Sequence, residues 1–170
     1  MSPEMIVYPI LKDTKDIKEM PNYNGSPEQL NQIRESIVQE VVGHLSRTGV
    51  LIVGPGLGRD EFTLATTKDV IQHAKQRKLP IIIDGVRIKL CIKVIKILRH
   101  SLQDGLYLVT QDPDVVKGYK DAILTPNFAE YSRLCARMLQ IDIKDITDHA
   151  ATVKQLANEY GGEMSVNYHT

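Results

Sequence analysis

The run Val50-Leu51-Ile52-Val53 passes directly into Gly54-Pro55-Gly56-Leu57-Gly58. A short, wholly apolar run reads as a strand covered on both faces, and such strands belong to parallel sheets packed between helices. The pattern recurs at Pro80-Ile81-Ile82-Ile83-Asp84 and at Ala122 to Thr125, which leads into Pro126 and Asn127. Helical signals fill the gaps. Ser26 predicts an N-cap, with Pro27 at the first helical position and Gln29 completing a capping box. Beyond it Leu30, Ile33, Ile37, Val41 and Leu45 recur at helical spacing, so one face of that helix is expected to be buried. Asp60 is expected to cap a helix to about Lys78, and further helices are predicted over about 128–138 and, capped by Thr147, over about 147–160. Met5 to Leu11 reads as a short strand, and Pro21 to Gly25 as a turn cluster. Strands alternating with helices predict an α/β fold with a mostly parallel sheet and helices on both faces. In such sheets ligands bind beyond the carboxyl ends of the strands. The turns after Val53, Asp84 and Thr125 are where chemistry is expected.

Composition narrows the classes. The 170 residues carry 21 Lys+Arg and 21 Asp+Glu, and this zero net charge lends no electrostatic support to a nucleic-acid or membrane partner. Cys91 and Cys135 are too few for a disulfide framework. No apolar run reaches the roughly 18 residues of a membrane span, and the start lacks a signal-peptide pattern. A cytoplasmic protein is expected, with a mitochondrial one left open.

Each motif has a structural reading beside a functional one. Three glycines within 54–58 let backbone approach a ligand and aim amides at an anion, yet any tight strand-to-helix turn uses them too. A dinucleotide fingerprint from Gly54 needs glycine where Arg59 stands, and a P-loop needs Gly-Lys at 59 and 60, where the chain has Arg59 and Asp60. Asp84 suits metal or hydroxyl binding, but a solvated turn aspartate is the commoner case. Pro126 enforces an extended strand exit. Asn127 and Glu130 have capping-box spacing, which explains both without a ligand. Arg133 lies on the face of Glu130, as in a surface ion pair. No His/Cys cluster has metal spacing, so no metal ligands are assigned.

In order and content, several stretches resemble one family. They are Val53 to Asp60; Ile81 to Asp84; Asp104-Gly105-Leu106; and Ile123-Leu124-Thr125-Pro126-Asn127 with Glu130 to Leu134. The opening Ser2 to Pro9 is also similar. The family is that of the ATP-dependent NAD(P)H-hydrate dehydratases, within the ribokinase-like superfamily of three-layer α/β sandwiches. The resemblance implies repair of damaged nicotinamide cofactors. The (S)-hydrate of NADH or NADPH is dehydrated while ATP becomes ADP and phosphate, by phosphorylation of the added hydroxyl and loss of phosphate. It further implies that Gly56 and Gly58, and the stretch Asn127, Phe128, Ala129, Glu130, Tyr131, Ser132 and Arg133, contact the hydrate. Asp84 and Asp104 are the corresponding loop carboxylates, and Mg2+ accompanies ATP.

Three departures qualify what the resemblance implies. The family's Asp-Ala-Asp-Gly-Leu is split here, with Asp84 and Asp104 separated by residues 85–103. That stretch holds Arg87, Lys89, Lys93, Lys96 and Arg99 and no acid. Its periodicity fits a strand or an amphipathic helix. Residues 1–170 are expected to form one incomplete ribokinase-like domain, with 85–103 a basic insertion. The family's glycine-rich segment ahead of Ser2-Pro3-Glu4 is not in the sequence. Nor is the Gly-x-Gly-Asp turn whose aspartate is the family's base, and Glu163 to Thr170 looks unlike the next strand. The chain alone is therefore expected to be weakly active or inactive, and its exposed strand edges invite oligomers. A non-catalytic hydrate- or nucleotide-binding protein of the same fold is the alternative; a small-molecule kinase of the superfamily is disfavoured by the glycine turn paired with Thr-Pro-Asn.

Overall fold

The computed structural model describes residues 8–54, 56–84 and 105–166. Four strands form one sheet: β1 (Leu51–Val53), β2 (Ile81–Asp84), β3 (Ala122–Thr125) and β4 (Glu163–Met164), in the order β1-β2-β3-β4. All three pairings are parallel, with Val53 opposite Ile83, Asp84 opposite Thr125, and Leu124 opposite Met164. Parallel neighbours need crossovers. Helix α3 (Glu61–Gln76) links β1 to β2, α4 (Gly105–Gln111) precedes β3, and α5 (Phe128–Leu134) and α6 (His149–Tyr160) lie between β3 and β4. Ahead of the sheet stand α1 (Thr14–Lys18) and α2 (Pro27–Leu45). This is the expected α/β architecture with a parallel sheet.

Ile81, Ile83 and Leu124 are completely buried, Ala122 and Val53 nearly so, and against them pack Val38 and Val42 of α2 and Ile71 and Ala74 of α3. Each such large side chain contributes roughly 1.5–3 kcal/mol by leaving water. On the opposite pleat the register sets Ile52, Ile82 and Ile123 side by side, and Ile52 remains 45% exposed and Ile123 37%. The expectation that β1 is covered on both faces is thus corrected. An unbroken apolar run cannot reveal which of its two faces a neighbour covers.

Other corrections concern local signals. Residues 8–11 form no strand, and the rest of the expected Met5–Leu11 strand lies outside the described residues. A short helix, α1, follows instead, closed by a capping box between Asp13 and Asp16. Ser26 does cap α2 by accepting from the Gln29 amide (3.2 Å), but Gln29 does not return the bond. Its Oε1 accepts from the Asn24 amide (2.7 Å) and its Nε2 donates to the Asn22 carbonyl (2.9 Å), while Asn24 Oδ1 serves the Ser26 amide. The turn before α2 had the stronger demand for those donors and acceptors. Asp148, one residue beyond Thr147, caps α6 by accepting from the Ala151 amide at 3.0 Å. The helix expected over 128–138 relaxes into one π-turn at Cys135–Leu139 and stops at Gln140 in a left-handed conformation. Glu163–Met164 proves to be a strand, pinned further by the Ser165 amide donating to the Leu124 carbonyl at 2.9 Å.

Candidate functional site

The carboxyl ends of β1, β2 and β3 meet at one edge of the sheet. Gly54, just past β1, has φ +138, and a Cβ placed there would lie 2.1 Å from the Asp84 carbonyl oxygen. Gly105, opening α4, is as confined: its Cβ would lie 2.7 Å from Gly54 Cα and 2.8 Å from the Val53 carbonyl oxygen. Only glycine fits where backbones approach so closely. The end of β2 and the start of α4 therefore press on one residue from two sides. Gly56 and Gly58 differ in kind. Their φ values are +74 and +75, and among the described residues nothing stands within 4 Å of a Cβ at either, so there it is backbone conformation that calls for glycine. The Leu57 amide closes the turn on the Gly54 carbonyl at 3.1 Å. Pro55 lies outside the described residues.

Beyond this turn Asp60 caps α3, accepting from the Thr63 amide at 3.0 Å. Burial pushes its carboxyl up, but hydrogen bonds from Thr14 and Thr63 outweigh that and hold it below the usual aspartate value. The Arg59 guanidinium sits over the Tyr107 ring, 4.8 Å from its centroid, and so ties the turn to α4.

Asp84 is 5% exposed, and its Oδ1 accepts from the Thr125 hydroxyl at 2.7 Å. The solvated-turn reading of this aspartate is overturned: it is a buried carboxylate joining β2 to β3. Asp104, its expected companion, lies outside the described residues, as does the 85–103 stretch. At the exit from β3, Asn127 and Glu130 close a full capping box, with the Glu130 amide donating to Asn127 Oδ1 (3.0 Å) and the Asn127 amide donating to Glu130 Oε2 (2.9 Å). Glu130 is 1% exposed, so its carboxylate is interior. Tyr131 is wholly buried, whereas Phe128, Ala129 and Arg133 point outward. Ser132 lines a pocket of about 390 Å3 with Ala136, Gln140 and Asp142, to which none of the described residues 54 and 56–58 contributes.

The glycine turn and the start of α5 thus flank one strand, β2. Two strand spacings, roughly 10 Å, separate β1 from β3, and Asp84 touches both sides. Sequence reasoning missed two participants. Gly105 was visible only as part of a motif, without its packing role. His149, the first residue of α6, makes ring contacts with Phe128 and Tyr131 that no spacing in the sequence announces. Cys135 beneath α5 is an unpaired thiol that burial pushes up, with a Tyr131 hydrogen bond offsetting part of the rise, so it is a packing residue and no nucleophile.

Among the described residues no group of three His, Cys, Asp or Glu side chains is placed to hold a metal ion, and Asp84 is already engaged with Thr125. Nor is any described helix long and apolar enough to cross a membrane.

These features define an α/β protein whose candidate ligand surface lies at the carboxyl edge of a parallel sheet, built from a glycine turn and a capped helix start. No family model matches the chain. Curated proteins do. A protein from Vitis vinifera named ATP-dependent (S)-NAD(P)H-hydrate dehydratase is 38% identical over 161 residues, covering 95% of this chain and 38% of that protein. Proteins of the same name from Emericella nidulans (37% identical, 85% of this chain, 32% of that protein) and Danio rerio (34%, 94% and 36%) are similar too. Over most of its length the chain is similar to proteins named ATP-dependent (S)-NAD(P)H-hydrate dehydratase, and it spans less than two fifths of the length of these relatives.

Proposed function

We propose that this chain supplies the hydrate-binding surface of an ATP-dependent (S)-NAD(P)H-hydrate dehydratase. The observation that carries the reading is that the glycine turn after β1 and the start of α5 flank β2 on either side of Asp84. In the proposed reaction the ring hydroxyl of the hydrate takes the terminal phosphoryl group of ATP. The carbon–oxygen bond then breaks with loss of phosphate and a ring proton, which restores the ring double bond. Phosphate leaves far more readily than hydroxide.

Gly56 and Gly58 admit the ligand close to the backbone, and the capping box of Asn127 and Glu130 holds the start of α5 rigid beneath it. The Asn127 side chain and one Glu130 oxygen are committed to that box, so they shape the surface while Phe128, Ala129 and Arg133 meet the ligand. Mg2+ enters as the partner of ATP. That Asp84 and Gly105 abut the same glycine supports the reading of residues 85–103 as an insertion. The 170 residues contain no Gly-x-Gly-Asp. Phosphoryl transfer depends on complete positioning, so the chain by itself binds the hydrate with weak turnover or none. Calorimetry with the hydrate, together with recovery of NADH in the presence of ATP, tests this. Binding without appreciable turnover is expected; absence of hydrate binding removes the reading.

A further inference from the structure

Resting on that reading, we propose that Phe128 is a stacking platform for the purine ring of the bound nucleotide and that His149 is its positioning residue. Phe128 opens α5 and remains 39% exposed, whereas Tyr131, one turn on, is completely buried. His149, at the start of α6, packs against both. Its ring lies 6.1 Å from that of Phe128 at 69° and 5.8 Å from that of Tyr131 at 65°. Phe128 and Tyr131 are themselves 6.3 Å apart at 52°. Tyr131 Oη lies 3.4 Å from His149 Nδ1.

A single exposed phenylalanine is ordinary. Here, however, three rings from two helix starts form a cluster in which His149 meets both of the others edge to face, the geometry their quadrupoles favour. Tyr131 is locked in the core, and the Asp148 cap anchors the helix that carries His149. Phe128 is therefore held in one orientation with part of its surface open, and a held ring loses little side-chain freedom when a ligand stacks on it.

The ligand's chemistry selects the group. A hydrated nicotinamide ring has lost aromaticity and planarity, while adenine keeps both and offers a full π-face. Adenine is present in the dinucleotide hydrate and also in ATP, so the test separates the two.

Calorimetry on the 170-residue chain would use three probes: NADH hydrate, the hydrate of reduced nicotinamide mononucleotide, which has no adenine, and ATP. Phe128→Ala is expected to weaken NADH hydrate about tenfold, a typical stacking loss, and to change the mononucleotide hydrate by less than about twofold. Phe128→Trp restores affinity. His149→Ala is expected to cost about threefold on NADH hydrate only, and His149→Phe restores it; a merely structural role would weaken both hydrates alike. A loss confined to ATP assigns the platform to the purine of ATP. Equal losses on both hydrates, or no loss on any probe with unchanged thermal midpoints, overturn the platform and leave the hydrate reading standing. Binding of ATP that depends on Phe128, with neither hydrate bound, does the reverse. If the wild-type chain binds no probe, both fall.

Discussion

The two sides of the candidate site are built by opposite means. After β1 the chain turns through residues that lack side chains: at Gly54 there is no room for a Cβ, and at Gly56 and Gly58 the backbone conformation excludes one. After β3 the chain is held by side chains, with Thr125 donating to Asp84 and Asn127 and Glu130 capping each other. Adding atoms damages the first side and removing atoms damages the second. A surface assembled this way is rigid on both flanks of β2, while among the described residues space is left above Gly56 and Gly58.

The sharpest way to break the comparison is Gly54→Ala. A methyl group 2.1 Å from a backbone carbonyl oxygen cannot be relieved by a side-chain rotation. The expected outcome is a loss of more than about 4 kcal/mol in urea unfolding, or failure to fold. Glu130→Ala comes next. It strips the cap from the Asn127 amide and leaves space in the interior, for an expected loss of about 2 kcal/mol by the same measurement; Glu130→Gln, which keeps an acceptor, should lose less.

Gly58→Ala is milder, since among the described residues only its φ of +75 opposes a side chain, and about 1 kcal/mol is expected. Its effect on hydrate affinity should be larger than its effect on stability, because the space above this glycine is the space assigned to the ligand. The smallest effect is expected from deleting residues 85–103. Asp84 and Gly105 already press on Gly54, so the thermal midpoint should stay within a few degrees. A collapse of the fold on deletion would mean that the stretch is integral to the domain.

Much of the site could be read from the chain because its signals are local. The glycine run, the Asn127/Glu130 spacing and the Asp60 cap each depend on neighbours within a few residues. The failures were of another kind. Helix α4, Gly-Leu-Tyr-Leu-Val-Thr-Gln, is buried at Gly105, Leu106, Leu108 and Val109, so no polar face marks its period. Gln29 had the right spacing for a capping box but found closer partners in the preceding turn. Asp84 read as a solvated residue because nothing local shows that Thr125, some forty positions away, lies beside it. The two-residue β4 is too short for any alternation, and its strand character comes from β3 alongside.

What the amino-acid sequence determined by itself is the class of fold, the turns that end each strand, and the family likeness. These rest on backbone preference and on patterns contained in short stretches. Tertiary structure alone decided that Asp84 is interior, that Gly105 and Gly54 touch, that Ser132 lines a pocket with Gln140 and Asp142, and that His149 joins Phe128 and Tyr131. Those facts depend on register and on packing between segments far apart along the chain. A side chain's neighbours across a sheet are set by hydrogen-bonded pairing and excluded volume, and neither is encoded in the residues immediately beside it.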